Sequence, residues 1–568
     1  MATREKQGKV IPFRQSTSFY MKRGNKEMER NDLVSAMYQY RKAYDQDPTD
    51  PDTSLAVAEI LSQMQRYEES NRILLLQMSM GKLVPECYFG LACNYFGMHE
   101  FDYAAESLEN YLEADPDGFF ALDAEDFLDV LDDDEAMRAS TGLFTDEDYE
   151  TDGVCMDARH LLDSMETKRA IELLESHVKR YPNCVRAQNQ LSLAYYCNGE
   201  KDRALKSANT ILRSEPHNQQ ALCNRALFLH EKGEDAGARA DLARLLSSDT
   251  QSVEILNNIS VLLITMERYQ DAEKTLAKIA QQTPYDANVI HRTAYCRYML
   301  GNAAGALSCY RKLLRINPND TVAKYYFSVC KRNERDRHPA FSRWSVPYQV
   351  PFAETFRRLN YIKRCLEQEQ EQLLAQWQND INFRNIIVWA LDLTEPKAKQ
   401  SMLALLFSFG DKRAEYWLRD FILRTNQPDA IKHSVFGMLK KMGVPEPYVA
   451  NIDGRWISGR VSMLDFTDGI PPVYADVIRV AVEQMSGVRS EESLEASIQV
   501  FQMYTDRLKG VFPRMNGQQA QALSAAIEFL GCTISGESVE EAEICKKYRV
   551  SATRLHNAIV RLRPEPEE

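Results

Sequence analysis

Residues 85–118 read PECYFGLACNYFGMHEFDYAAESLENYLEADPDG, and this stretch decides the fold of much of the chain. Small residues stand at Ala92 and Ala104, and large side chains lie around them at helical spacing. Pro116 ends the second of the two helices that this pattern predicts, because a proline cannot continue a helix. The stretch therefore predicts two helices that approach each other closely at their small residues.

The same pattern recurs with a period of 34 residues. The second small position of the pattern is occupied in eight units by Ala36, Ser70, Ala104, Ala170, Ala204, Ala238, Ala272 and Ala306. Successive residues in this series are 34 apart, except for a step of 66 between Ala104 and Ala170. The first small position lies twelve residues earlier and is filled by Gly24, Ala58, Ala92, Ala158, Ser192, Ala226, Ser260 and Ala294. Six units carry a proline twelve residues after the second position, at Pro48, Pro116, Pro182, Pro216, Pro284 and Pro318. Such a period is typical of stacked helix pairs in which each repeat covers the apolar face of the next.

This pattern resembles the tetratricopeptide repeat (TPR), a helix-turn-helix of 34 residues with small residues in both helices and a closing proline. The resemblance implies an all-α fold, a superhelix or α-solenoid whose first helices line a concave groove. It places TPR units 1–3 at 17–118, and TPR units 4–8 with a capping helix at 151–337.

An acidic insertion over 119–150 accounts for the step of 66 residues. The stretch from Asp115 to Asp152 holds fifteen acidic residues and one basic residue, Arg138. Apolar side chains at helical spacing predict an amphipathic helix in its first part, and we expect 132–150 to be looser. The insertion is interpreted as a solvated linker helix or as a docking segment for a basic partner.

The second half of the chain is also predicted to be helical. An extended linker containing Trp344, Pro347 and Tyr348 should wrap the last helix of the array. A region resembling HEAT helix pairs follows at 353–445, then a hairpin and linker at 446–470, indicated by Asp-Gly between apolar flanks. A small C-terminal helical domain should occupy 471–565.

The end of this domain resembles a DNA-binding helix-turn-helix and, more loosely, the last helices of a cyclin-like repeat. Val550 and Leu555 would pack between two helices, and Ser551 would cap the second one. Arg549 stands where the family usually has glycine in a left-handed turn, a conformation that arginine adopts only at a cost. The resemblance nominates six residues for contact with nucleic acid, Lys546, Lys547, Arg554, His556, Asn557 and Arg561. The alternative is a segment used only for packing or protein contact.

Composition narrows the classes of function. Lys and Arg number 69 against 82 Asp and Glu, so the net charge of −13 disfavours a general binder of polyanions. No apolar run is long enough to span a membrane, and the N-terminus lacks the apolar core of a signal peptide, which predicts a cytoplasmic protein. The 12 cysteines and 9 histidines show no metal-ligand spacing, and no catalytic or phosphate-binding motif is found. We therefore expect no metal, no cofactor and no catalysis.

The groove is the predicted binding site. Its candidate residues come from the first helices of the repeats and are mixed polar and aromatic: Arg159, Arg186, Asn189, Asn257, Asn258, His291, Arg292, Tyr295 and Tyr325. Such a surface suits an extended peptide or a partner helix. The leading hypothesis is a cytosolic scaffold or adaptor that binds a protein segment in this groove. The alternative is a regulatory protein that binds nucleic acid through its C-terminal helices, and an ordinary wet face with the partner elsewhere also stays open.

Overall fold

A computed structural model describes residues 15–80, 84–141, 146–163, 166–250, 252–333, 344–445, 448–452, 455–459, 470–485, 488–508, 512–513, 515 and 517–562. These residues are predominantly helical, which confirms the predicted all-α class. They divide into two compact units, residues 1–428 with 451–455, and residues 429–450 with 456–568. Residues 334–337 of the predicted repeats and capping helix, parts of the predicted hairpin and linker at 446–470, and residues 563–565 of the predicted C-terminal domain lie outside the described residues.

The first unit begins with three helix pairs and an inserted helix. The pairs are α1 (Thr17–Met28) and α2 (Leu33–Tyr44), α3 (Pro51–Gln63) and α4 (Tyr67–Ser79), and α5 (Glu86–Gly97) and α6 (Phe101–Ala114). The inserted helix is α7 (Ala121–Thr141).

Five further pairs and a capping helix complete the repeats. The pairs are α8 (Asp146–Asp163) and α9 (Thr167–Arg180), α10 (Val185–Cys197) and α11 (Lys201–Ser214), α12 (Gln219–Glu231) and α13 (Asp235–Ser247), α14 (Val253–Thr265) and α15 (Tyr269–Gln282), and α16 (Ala287–Met299) and α17 (Ala303–Ile316). The cap is α18 (Thr321–Asn333).

The small positions of the repeat are the points where paired helices touch. All eight residues of the second small position are buried. The Ser70 hydroxyl donates to the Ala58 carbonyl at 2.7 Å, and the Ser192 hydroxyl donates to the Ala204 carbonyl at 3.0 Å. A Cβ added to Gly24 would lie 2.2 Å from the ring of Tyr40. Larger side chains would therefore force the helices of a pair apart.

The first helices begin at side-chain caps that share the 34-residue period. The capping oxygens accept backbone N–H groups of the first turn and belong to Ser16, Asp50, Asn218, Ser252, Asp286 and Asp320. Where the unit carries its proline, the proline stands two residues before the cap, so one short segment ends one helix and starts the next.

A second periodic feature, which sequence reasoning missed, is the turn inside the seven helix pairs whose turn residues the structure describes. Its central residue has a positive φ at Asn31, Gln65, His99, Gly199, Gly233, Glu267 and Gly301, spaced by 34 residues within each array. Glycine adopts this conformation without strain, whereas a residue with a Cβ pays for it. Glu267 is exposed with a φ of 59°, so its backbone carries a cost that glycine would remove.

We expect Glu267→Gly to stabilise the chain by about 0.5–1 kcal/mol, because relief of the left-handed backbone outweighs the added freedom of the unfolded chain. The measurement is thermal and urea unfolding followed by circular dichroism. The matched control is Gly233→Ala, which should destabilise by about 1 kcal/mol. An added Cβ at Gly233 meets no atom within 4 Å, so only backbone conformation would act there. An unchanged or lowered midpoint for Glu267→Gly would contradict this account.

The acidic insertion contains helical segments. α7 continues to Thr141 and α8 starts at Asp146, while residues 142–145 lie outside the described residues. α7 packs on α6, where Phe127 meets the ring of Phe96 at 5.0 Å. The packing of α7 on α6 stabilises α7 by more than the repulsion between its neighbouring carboxylates destabilises it.

The helical region after the repeats consists of α19 (Phe352–Leu366), α20 (Gln370–Asn379), α21 (Ile381–Ala390), α22 (Pro396–Phe409) and α23 (Lys412–Leu423). It returns the chain to the first repeats. α23 packs on α4, and α2 of repeat 1 packs on α17 of repeat 8. The Tyr44 and Tyr416 hydroxyls lie 2.5 Å apart, and the Asn319 amide donates to Asp45 at 2.8 Å. The two ends of the repeat array are thus held together.

From residue 429 onward the chain forms α24 (Asp429–Lys441), β1 (Tyr448–Ile452), β2 (Arg455–Gly459), α25 (Pro472–Met485), α26 (Glu491–Arg507), α27 (Gly517–Ser535), α28 (Glu541–Lys547) and α29 (Ala552–Leu562). Of these residues, 451–455 belong to the first unit and the others to the second. β1 and β2 pair with each other, and Asp453 and Gly454 between them lie outside the described residues. One apolar core joins α25 to α29.

Candidate functional site

A polar ladder crosses the first helices of repeats 5 to 7. The first helices of these repeats contact one another, as expected for the concave side of the array. Asn258 on α14 donates to Gln220 on α12 at 2.9 Å, and Gln220 donates to Asn224 at 3.1 Å. Asn224 then donates to the backbone carbonyl of Asn189 on α10 at 3.3 Å. These amides hold neighbouring repeats in register along the groove.

Arg292 on α16 lies at the end of this ladder. Its guanidinium donates to Asn257 at 3.1 Å and to the Ser260 hydroxyl at 3.3 Å. Its Nε is buried without a hydrogen-bond partner, and no carboxylate of the described residues forms an ion pair with the group. Burial lowers the pKa of the Arg292 guanidinium, and the more distant charge of Asp286 offsets this shift only in part. The groove therefore carries a cation that lacks a paired counter-charge.

The groove at repeats 7 and 8 is filled by the chain itself. Residues 344–350, which we call the strap, form an irregular segment, bent over 346–349, that packs against α16, α17 and α18. The Trp344 ring lies within 6 Å of five aromatic rings, those of His291, Tyr295, Tyr298, Tyr310 and Tyr326. Val346 packs against the core of the neighbouring repeats.

His291 binds the strap through a fixed tautomer. Its Nε2 lies 2.8 Å from the Ser345 carbonyl, which can only accept, so Nε2 carries the proton. Its Nδ1 then accepts from the Tyr310 hydroxyl at 2.7 Å. Burial lowers the pKa of His291 to about 4, so the ring is neutral at pH 7 and both of its nitrogens are satisfied.

Two tyrosines complete the seat of the strap. The Tyr326 hydroxyl accepts from the Ser345 N–H at 3.0 Å and donates to the Gln349 carbonyl at 2.7 Å. The Tyr348 hydroxyl donates to Asp320 at 2.5 Å, and its ring lies 5.3 Å from His291. Burial raises the pKa of the Asp320 carboxyl. The repeats thus bind the strap by the backbone of Ser345 and Gln349 as well as by its two rings.

The predicted groove residues are only partly brought together. Asn257, Asn258, His291, Arg292 and Tyr295 share α14 and α16 and line one stretch of the face. The remaining four lie elsewhere: Arg159 exposed on α8, Arg186 exposed on α10, Asn189 buried on α10 and donating to Asn218 at 3.2 Å, and Tyr325 half-buried on α18.

Sequence reasoning missed the occupant of this face. It predicted that the linker around Trp344 and Tyr348 wraps the last helix, but it assigned His291 and Tyr295 to a partner rather than to this linker. The available signal was composition, because a Trp and a Tyr four residues apart with an intervening proline are unusual for a solvated linker. Gln220, Asn224 and Tyr326 were also missed, and their residue types alone give no signal.

The six candidates for nucleic-acid contact separate into two groups. Lys546, Arg554, His556 and Asn557 are exposed on α28 and α29. Lys547 instead donates to the buried carboxylate of Glu528 at 2.9 Å, and Arg561 donates to the Tyr474 hydroxyl at 3.3 Å and lies over the Tyr504 ring.

The turn between these helices has the expected local geometry. Arg549 has a φ of 50°, the left-handed conformation foreseen for this position. Ser551 accepts from the Arg554 N–H at 3.4 Å at the start of α29, and Val550 and Leu555 are buried.

In the part of the chain that the structure describes, no three His, Cys, Asp or Glu side chains lie close enough together to hold a metal ion. Within the same residues, none of the helices combines the length and apolarity needed to cross a membrane.

The chain is similar in sequence to known repeat proteins. Family models described as tetratricopeptide repeat match residues 155–211, 189–253 and 289–320. TPR repeat-containing protein YvcD of Bacillus subtilis is 27% identical over 311 residues, which is 54% of this chain and 63% of YvcD. Type IV pilus assembly protein PilF of Pseudomonas aeruginosa is 25% identical over 153 residues, which is 27% of this chain and 61% of PilF. The chain thus spans less than two thirds of either relative.

Among solved structures, a thermophilic TPR protein of Thermus thermophilus is 15% identical with a TM-score of 0.28, covering 32% of this chain and 99% of its own. The fold and the repeats define an α-solenoid of helix pairs. The matched residues, 155–253 and 289–320, have the pattern of tetratricopeptide repeats.

Proposed function

We propose that this chain is a non-catalytic scaffold whose concave face binds an extended segment of another protein. The observation that carries the proposal is the strap, because the same face already holds a segment without helix or strand structure through hydrogen bonds from His291 and Tyr326 to its backbone. Every peptide offers carbonyl and amide groups, so a surface built to bind them suits other segments as well. Superhelical repeat arrays commonly use their concave surfaces for binding.

The part of the groove next to the strap supplies the chemistry for a partner. Arg292 lies beside the amide ladder, donates to Asn257 and forms no ion pair with a carboxylate of the described residues. A partially buried cation without a paired counter-charge is unfavourable by itself and favours a ligand that brings one. The proposed segment therefore carries an acidic side chain or a terminal carboxylate at the level of repeats 6 and 7.

The test is affinity capture with the full chain, followed by measurement of the dissociation constant of the captured segment. We expect Arg292→Met to weaken binding about tenfold or more, because a hydrogen bond to a charged group contributes about 1.5–3 kcal/mol. The matched control is Arg311→Met, which removes an exposed arginine from the second helix α17 and should leave binding unchanged. Equal capture by wild type and Arg292→Met would contradict the assignment of this face.

Binding of nucleic acid is the alternative function. Its support is the exposed group of Lys546, Arg554, His556 and Asn557 on α28 and α29, residue types that contact phosphates and base edges. Nuclease treatment in the same capture experiment separates the two proposals. A partner retained after nuclease supports the protein scaffold, and a partner lost with nuclease supports the alternative.

A further inference from the structure

The strap is held in the way that a groove holds a peptide ligand. It is neither helix nor strand, and within it the Gln349 N–H donates to the Pro347 carbonyl at 2.7 Å in a tight bend. Its Ser345 and Gln349 backbone groups bond instead to side chains of α16 and α18. A segment ordered by side chains of the repeats, rather than by its own structure, keeps its place only while those contacts are better than any competing ones.

Two ring sites give this seat a sequence preference. The first ring site is the aromatic cluster around Trp344, and the second accepts Tyr348 between His291 and Asp320. The two rings are four residues apart, and Pro347 stands directly before the second one. Proline restricts the chain to an extended conformation before binding, which lowers the entropy lost when the segment docks.

The strap does not satisfy its seat completely. The Trp344 Nε1–H is buried, and none of the described residues accepts its hydrogen bond. A buried donor without an acceptor costs free energy that a phenylalanine at the same position would avoid. A segment of another protein that lacks this unpaired donor can therefore bind the site with a higher intrinsic affinity than the strap does.

Covalent attachment offsets this imperfect fit. The strap follows α18 after ten intervening residues, so its local concentration at the groove is on the order of millimolar, as for a short tether. A free segment of equal intrinsic affinity must compete with this concentration. Weakening the strap should therefore raise the apparent affinity for a free segment without any change in the groove.

We propose that the strap is an internal ligand, and that the scaffold's partner presents a similar irregular segment that displaces it. This segment has two aromatic side chains four residues apart, with a proline directly before the second, and its first ring is phenylalanine or tryptophan. The proposal rests on the proposed function, since it specifies the segment that the groove of repeats 7 and 8 takes.

The experiment uses the full chain and a fluorescent peptide with the strap sequence, Trp-Ser-Val-Pro-Tyr-Gln-Val. The peptide should bind the Trp344→Ala/Tyr348→Ala variant at least about tenfold more tightly than wild type, because the competing strap is weakened. Adding Tyr326→Phe to that variant should reduce the affinity by about tenfold, since it removes one hydroxyl that makes two hydrogen bonds and leaves the ring in place. A peptide with alanine at both ring positions is the control and should not bind.

A second measurement, made on wild type, tests the proposal if the double variant does not fold. In wild type, saturating peptide should increase hydrogen exchange at the amides of 345–350, because the displaced strap loses its partners. Absence of binding to a folded double variant, or unchanged exchange in wild type, would overturn the proposal. If the captured partner still depends on Arg292 in that case, only this inference falls, whereas a partner that also ignores Arg292 removes the proposed function too.

Discussion

Replacement of Glu528 by alanine is expected to destabilise the second unit by about 3–5 kcal/mol, the usual result of removing one partner from a buried ionic cluster. The Glu528 carboxylate is fully buried and accepts from Arg489 at 2.9 Å, Lys547 at 2.9 Å and the Tyr548 hydroxyl at 2.7 Å. Without this carboxylate, the nearly buried guanidinium of Arg489 and ammonium of Lys547 would face each other with no negative charge between them. Hydrogen exchange of α25 to α29 in the full chain measures the loss.

The control for this prediction is Glu543→Ala. Glu543 also pairs with Arg489, but its side chain is 51% exposed, so its loss should cost less than about 1 kcal/mol. Similar effects of the two substitutions would show that the buried cluster does not hold α28 in place. Lys547 would then be available for other contacts.

Asp420→Ala is expected to cost a similar 3–5 kcal/mol, roughly, and to release α4 from α23. Asp420 is buried and bridges Arg72 of α4 at 3.0 Å and Arg424, which follows α23, at 2.7 Å. Burial by itself would raise the pKa of the Asp420 carboxyl, but the charges of Arg72 and Arg424 outweigh it and hold the pKa below the usual 3.8. The measurement is hydrogen exchange of α4 and α23 together with urea unfolding.

The pH dependence of this effect has a definite direction. Because the folded-state pKa is lowered, the ionised carboxylate contributes stability that is complete well above pH 3.8 and is lost as the pH falls below it. Wild type and Asp420→Ala should therefore converge only below about pH 4. Asp392→Ala is the matched control, since the Asp392 side chain is 57% exposed and Arg424 retains Asp420. A large loss of stability in Asp392→Ala would show that Asp392, and not Asp420, provides the stabilising contact.

The repeats could be predicted because their cause is local and periodic. A small residue such as Ala204 or Ala272 recurs where helices touch, and prolines recur where helices end, so spacing alone shows the helix pairs. The left-handed turns escaped this reasoning because only Gly199, Gly233 and Gly301 of that column are glycines. Packing of the flanking helices imposes the conformation on Glu267 against its own preference.

The candidate site was predicted only in part because its occupant is distant in sequence. His291 and Tyr295 were predicted as groove residues because they lie on a first helix, but His291 binds Ser345 of the strap, which is 54 residues further along the chain. Pairings such as Arg72 with Asp420 are equally non-local, and each residue type alone reads as surface charge. A single sequence gives no signal for such contacts.

The contact between repeat 1 and α23 affects when the chain can complete its fold. Tyr44 and Tyr416 are 372 residues apart, so at roughly 5–20 residues per second the ribosome needs about 20–70 s after making the first to make the second. During that interval the outer face of repeat 1, with Arg72 of repeat 2 beside it, has no partner to cover it. The nascent N-terminal repeats thus pass through a period of exposure that ends only when a late-synthesised helix arrives, and closure over such a separation is itself slow.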